Sequence, residues 1–353
     1  MAILDPERLS EAVQRLIEHA HGLHLALIVL LAQRLGRDLA DDDWARRRSA
    51  ETAELERAVR RLIEASGKQR SSEALAAVGG IYEASARRSL RLLGRLRIEA
   101  TPAGFKRPDP AAMRALAADL AQRLAATDAR VLRSTCDVYR QVIGRVTAEG
   151  LVGEHTRRRA AQSALDTFAE RGIAGFVDGA GKRWDLASYT EMATRTATLK
   201  ASRQGVTDTV RASNRDLVIV GGSSSSCPLC VPWEGRVLSL DGATPGYPTL
   251  AEAQSAGLHH PNCGHGIDPY VEGLTDASEI QHGDPQRYQA RQEQRRLERG
   301  IRAWKRREAA ALDEVSKRRA AAKKREWQAR LREHVDANDL KRLRYREGIH
   351  GAI

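Results

Sequence analysis

The sequence predicts a mainly α-helical chain with a small central α+β domain that holds a Cys/His zinc-type site, followed by long C-terminal helices. Three observations carry this. Ala, Leu, Arg and Glu dominate while aromatic residues make up only 4% of 353 residues, a composition that favours helices over a β-sandwich. Apolar residues recur at helical spacing through both ends of the chain, and the pattern breaks into glycines and short apolar runs only in the middle. Three of the four cysteines, Cys227, Cys230 and Cys263, fall in that middle stretch.

The elements follow in order. Leu9, Val13, Leu16, Ile17 and Ala20 mark a helix over 5–35. A second helix spans 41–66, with Asp41, Asp42 and Asp43 at its start and Gly67 as its stop. A third covers 71–98 and ends before Thr101-Pro102-Ala103-Gly104. Asp109-Pro110 opens a fourth, reaching about 147. After Gly150 and Gly153 comes a helix over 154–171. Two brief strands follow, joined by a turn from Asp178 to Lys182 and leading to a helix over 186–212. Leu217–Val220 and Arg236–Leu240 read as strands. Helical pattern resumes over 284–334, with Leu297, Ile301, Trp304, Leu312, Val315, Trp327 and Leu331 as a narrow apolar stripe that Gly300 interrupts. The chain thus divides into a helical N-terminal arm (1–148), an α+β core with the Cys/His cluster (149–275) and a basic helical region (276–353). The longest early apolar run, Leu25 to Ala32, falls short of the ~18 residues a membrane span needs, and no basic segment precedes it. The expectation is a soluble protein made in a cytoplasm, with no membrane partner.

Charge is concentrated. The formal net charge is +12, and the stretch from Arg287 to Glu347 holds 21 basic and 10 acidic residues. Three clusters recur there: Lys305-Arg306-Arg307, Lys317-Arg318-Arg319 and Lys323-Lys324-Arg325. Such clusters fit sequence-independent, salt-sensitive contact with phosphates, double-stranded DNA being the commonest polyanion, or an acidic protein surface. A solvated helix face with pairs such as Glu298/Arg302 and Glu314/Arg318 is the plainer alternative.

The sharpest chemical signal is Cys227-Pro228-Leu229-Cys230, followed 29 residues later by His259-His260-Pro261-Asn262-Cys263-Gly264-His265. Zinc takes four ligands, often as two pairs on tight turns. The set Cys227, Cys230, His260 and Cys263 satisfies this with the same two-residue gap in each pair, and His265 is a substitute for His260. In a reducing compartment the pattern favours metal over disulfides. A structural Zn2+ that stabilises a loop-rich domain is the expected role. Glu234 and Asp268 are the nearby carboxylates a catalytic metal could use. The zinc-deaminase pattern is missing, since no H-x-E precedes the cysteine pair. An HNH-like nuclease, with His259 or His260 as base and Asn262 orienting it, is the enzymatic alternative. Arg183, Trp184, Tyr189, Met192, Arg195 and Thr196 read as core packing with an anchoring arginine, and Trp233 as an apolar cover for the cysteine loop. No residue is assigned a catalytic role.

Long motifs in order carry a family resemblance. They are Gly172–Asp178, Gly181–Tyr189 and Glu191–Thr196; then Cys227–Leu240, Gly246–Ala253 and Gly257–His265; then Arg287-Tyr288, Arg295–Arg299 and Trp327–Arg332. Over about 150–345 the sequence resembles the phage minor capsid protein 2 family, which is related in its Cys/His region to Mu-type head morphogenesis proteins. That resemblance implies a minor head protein in the virion, present in several copies. It would lie inside the capsid with the portal and other capsid proteins, and act in head assembly or in packaging and delivery of DNA. The family's Cys-Arg-His or Cys-Arg-Cys motif reads Cys263-Gly264-His265 here, which keeps the ligand pattern and drops one basic contact.

Overall fold

The computed structural model describes residues 11–38, 44–98, 110–148, 154–171, 176–177, 181, 183–261, 263–278 and 280–349. In chain order the described elements are α1 (Glu11–Asp38), α2 (Trp44–Arg95), α3 (Pro110–Ala148), α4 (Glu154–Arg171), β1 (Phe176–Val177), β2 (Arg183–Trp184) and α5 (Leu186–Ala212). There follow β3 (Leu217–Val220), β4 (Val237–Ser239), α6 (Leu250–Ser255), β5 (Ile267–Pro269), α7 (Pro285–Ala309) and α8 (Glu314–Ala337). The mainly helical character and the small central sheet match the expectation.

Two expected boundaries differ. The helices expected over 41–66 and 71–98 are one helix, α2, of 52 residues. Gly67 does not stop it, because the buried stripe Val59, Ile63, Ser66 and Arg70 runs through that point at helical spacing. Arg70, buried, ties the stripe to Asp128 of α3 at 2.6 Å. Packing of this kind outweighs the ~1 kcal/mol that a mid-helix glycine costs. The C-terminal helix breaks not at Gly300 but between α7 and α8. Asp313 caps α8 by accepting from Ser316 N at 2.7 Å. Leu312 N donates to Gln162 of α4 at 2.7 Å.

The chain forms two compact units, each assembled from separated stretches, which is a different division from the three consecutive regions read in the sequence. One unit takes 15–70, 123–191 and 292–349 among the described residues. Its core joins Leu23, Leu27, Leu31 and Leu35 of α1 with Leu55 and Val59 of α2, Val131 and Tyr139 of α3, and Leu165 and Phe168 of α4. α1 is long and apolar enough to cross a membrane, against the expectation from its short uninterrupted run. Yet 67% of that window is buried in this core. β1 and β2 pair antiparallel, Phe176 opposite Trp184. Of the turn expected between them, only Gly181 is among the described residues.

The other unit takes 11–14, 71–122 and 192–291 among the described residues. Here α5 and α2 approach closely at Gly205, where a Cβ would stand 2.5 Å from the Tyr82 carbonyl oxygen. Tyr82 OH donates to Asp208 at 2.8 Å across the same contact. The sheet order is β4-β3-β5, all antiparallel. β3 is Leu-Val-Ile-Val, and as the central strand it is apolar on both faces, with Val218 and Val220 fully buried. Its register pairs Val220 with Ile267, and Gly221 N donates to Gly266 O at 3.2 Å. This pairing sets the loop after β3 beside the loop before β5, and the two halves of the cysteine motif lie on those loops.

Candidate metal centre

Each half of the motif is a tight turn. Cys230 N and Val231 N donate to Cys227 O at 3.0 and 3.2 Å, and Cys263 N donates to His260 O at 2.9 Å. The turns aim their side chains at each other. The ligand atoms of Cys227, Cys230 and His260 lie within 4.8 Å of one another, and so do those of Cys230, Cys263 and His265. Cys230 Sγ is 3.5 Å from Cys263 Sγ, Cys227 Sγ is 3.0 Å from His260 Nε2, and Cys263 Sγ is 3.5 Å from His265 Nδ1. Donor atoms about 2.0–2.3 Å from one tetrahedral ion stand about 3.3–3.8 Å apart, so the 3.5 Å separations among Cys230, Cys263 and His265 suit a zinc-sized ion, while the 3.0 Å between Cys227 and His260 is shorter. All four cysteines are free thiols. Cys136 is buried in the other unit, where burial raises its pKa.

The five residues singled out as ligands therefore fall into two adjoining groups, Cys227, Cys230 and His260 in one and Cys230, Cys263 and His265 in the other, with Cys230 common to both. Cys230, Cys263 and His265 are buried, while Cys227 and His260 are half-buried. An apolar shell of Val206, Val210, Val220, Leu238 and Leu258 surrounds the cysteines, and Trp233 packs against it as expected.

The sequence did not reveal the role of Glu234. Its side chain is fully buried and its carboxylate is saturated. It accepts from His265 Nε2 at 2.7 Å, from Gly283 N at 2.7 Å, from Ser223 N at 3.2 Å and from the Ser226 hydroxyl. Burial alone would raise its pKa, but these donors hold it below the ordinary value. For His265, burial pulls down, while the bonds to Cys263 and Glu234 prevail and raise it to about 9. Gly235, at φ +75°, turns the chain directly after Glu234 and sends the carboxylate inward. Gly283 is required too, since a Cβ there would meet Ser226 Cβ at 2.6 Å. An acidic residue followed by glycine at the end of the CPLC turn is the available signal, and a weak one. Arg203 of α5 lies below, its guanidinium 3.5 Å from His265 O. Its pKa is lowered by burial, against the pull of Cys263 and Cys230.

The groups considered for catalysis are placed otherwise. Asp268 is in β5 and pairs with Arg88 at 3.0 Å. Burial lowers His259 to about 2, with Arg203 adding to the effect. Asn262 lies outside the described residues. A cleft of about 540 Å³ in the same unit is lined by Arg211, Arg215, Asp216, Asp241, Tyr270 and Glu272, without any of the clustered cysteines or histidines.

The three basic clusters divide. Arg306 is buried and donates to Ala169 O at 3.1 Å. Arg307 donates to Asp166 O at 3.2 Å and pairs with Glu170. Lys305 donates to Glu347 O at 2.7 Å. This cluster on α7 caps the end of α4 and anchors the C-terminal segment, with Arg306 buried and Lys305 and Arg307 half-buried. On α8, Lys317, Arg318, Arg319, Lys323 and Arg325 are exposed, while Lys324 is half-buried against Glu308 at 2.6 Å.

A family model described as phage minor capsid protein 2 matches residues 4–336. A structural protein of Lactococcus phage LL-H is 29% identical over 225 residues, covering 59% of this chain and 60% of that protein. The chain thus spans under two-thirds of that relative's length. No solved structure matches.

Proposed function

The chain belongs to the phage minor capsid protein 2 family, and from that premise we propose that it is a minor structural protein of a tailed-phage head without catalytic function. A virion location follows from the family. The further reading is a place inside the capsid beside the portal, in several copies, with a part in head assembly or in packaging and delivery of DNA. In this reading 1–148 is a docking arm, 149–275 a zinc-held module and 276–353 a basic region.

Two adjoining ligand groups that share Cys230, one with Cys227 and His260 and one with Cys263 and His265, against an apolar shell carry the reading. A mostly buried, thiolate-rich set fits a structural Zn2+ that supplies folding energy to loops. Cys227, Cys230 and Cys263 plus one histidine would be its ligands. The exposed face of α8, with Lys317, Arg318, Arg319, Lys323 and Arg325, supports contact with duplex phosphates. Nothing on that face is suited to base readout.

Elemental analysis of protein purified without chelator tests the first part. About one zinc per chain is expected, lost in Cys227→Ser and Cys263→Ser together with folding of the 192–291 segment. Metal-free protein that folds normally would sink it. Incubation with DNA and a divalent metal tests the second. Salt-dependent binding without cleavage is expected. Cleavage that disappears in His259→Ala or His260→Ala would instead establish the nuclease.

A further inference from the structure

His260 is grouped with Cys227 and Cys230, and His265 with Cys230 and Cys263, and the surroundings of the two histidines differ. His260 is half-buried, and its Nδ1 bonds only to the carbonyl of its own neighbour, Pro261, at 2.8 Å on the exposed side. His265 is buried, and its Nε2 lies 2.7 Å from Glu234 Oε1 and 3.0 Å from Ser226 Oγ. A carboxylate accepts, so the Nε2 proton sits on that bond. Nδ1, on the other side of the ring, faces Cys263 Sγ at 3.5 Å and is the nitrogen that would offer a lone pair to a metal once its proton is displaced. Glu234 is itself fixed by backbone donors from two other segments, Ser223 N and Gly283 N. A buried carboxylate is costly unless it has such partners and a charge to answer. Carboxylate–histidine–metal chains are the usual means of setting a ligand's tautomer and raising its basicity.

We infer that His265 supplies the nitrogen ligand alongside Cys227, Cys230 and Cys263, and that Glu234 is the positioning residue that holds it. This rests on the zinc reading above. His260 then stands outside the ligand set, with Nε2 3.0 Å from Cys227 Sγ. Gly283 belongs to the device. The chain returns there from far along the sequence to place an amide on Glu234, and only glycine fits between Ser226 and Val231.

The test uses the full-length protein loaded with zinc, and with cobalt(II) as a spectroscopic probe, in wild type, Glu234→Gln, His260→Ala and His265→Ala. Affinity is read by competition with a chelating indicator, and folding by circular dichroism. Glu234→Gln is expected to weaken metal binding about 10- to 100-fold and to shift the cobalt ligand-field bands. His260→Ala is expected to keep near-wild-type affinity and an unchanged three-sulfur, one-nitrogen spectrum. His265→Ala is expected to lose that spectrum. If His265→Ala fails to fold, the other two variants decide. Loss of the nitrogen signature in His260→Ala, or undiminished affinity in Glu234→Gln, would overturn the assignment while leaving the zinc reading intact. A wild-type protein that takes up neither metal would overturn both.

Discussion

Arg306 and Arg318 sit in clusters that look alike in the sequence, yet their surroundings give them opposite roles. Arg306 is 3% exposed, donates to the Ala169 carbonyl and faces the buried carboxylate of Asp185. Removing its charge takes the strongest of the cations from Asp185, leaving Arg302 and the Ser188 donors to answer the carboxylate, and strips the Ala169 carbonyl of its donor. Arg306→Ala should therefore cost about 3–5 kcal/mol, read from the urea midpoint. Arg318 is exposed at the start of α8, and Arg318→Ala should change stability by no more than ~0.5 kcal/mol. If α8 meets duplex phosphates, the same substitution should lower the salt slope of DNA binding by about one, measured by anisotropy between low and moderate salt. Equal stability losses in the two variants would mean that Arg306 is not the anchor its contacts describe. A one-letter charge run cannot separate these cases. Only the apolar residues interleaved with it hint at which cations turn inward, and in α7 those are Ile301 and Ala303.

Among the elements, glycines report where helices touch. In α7, a Cβ on Gly300 would fall inside the ring of Trp327 from α8. Gly300→Ala must displace that indole and should destabilise by about 1–3 kcal/mol. Gly80, on an exposed turn of α2, has nothing within 4 Å of an added Cβ. Gly80→Ala should stabilise by about 0.5–1 kcal/mol through helix propensity alone. Thermal midpoints moving in the same direction would contradict this assignment of contacts. The comparison also explains what the sequence let through. α5 and β3 were legible to the residue because a run between turn signals and a short β-branched run are local signals. The Cys/His cluster was legible because rare ligand types recur at ligand spacing. Gly67 and Gly300 were misread, since a glycine that ends a helix and one that admits a neighbour are the same letter. Glu234 was read only as a nearby carboxylate. Its partners come from Ser223, His265 and Gly283, and that convergence exists only after β3 pairs with β5.

Across the whole molecule, the unit holding α1 and α7 encloses a group of ionisable side chains whose titration should govern acid stability. Burial lowers His21 to about 3, with Arg302 next in effect, and lowers His24 well below its ordinary value, with Arg306 next. Asp185 and Glu191 pull the other way on His21 without prevailing. Burial would raise Asp185, but Arg306, Arg302 and His24 and the Ser188 amide hold it far below the usual carboxylate range. A histidine lowered on folding binds its proton more readily in the unfolded chain. Its contribution is present in full above the unfolded value of 6.5 and is lost as pH falls from there toward 3. Asp185 adds loss in the same direction below its unfolded value of 3.8. Glu298 and Asp128, both raised by burial, oppose it in the carboxylate range. Between pH 6.5 and 5 the histidines should dominate, each contributing up to about 1.4 kcal/mol of lost stability per pH unit. His21→Gln removes one of these titrations while leaving Asp185, Arg302 and Arg306 in place. Urea unfolding of wild type and His21→Gln at pH 7.5 and 5.5 should show the wild type losing more stability on acidification. Identical losses would mean that His21 titrates alike folded and unfolded, and that its burial beside α7 does not carry the electrostatic cost assigned to it.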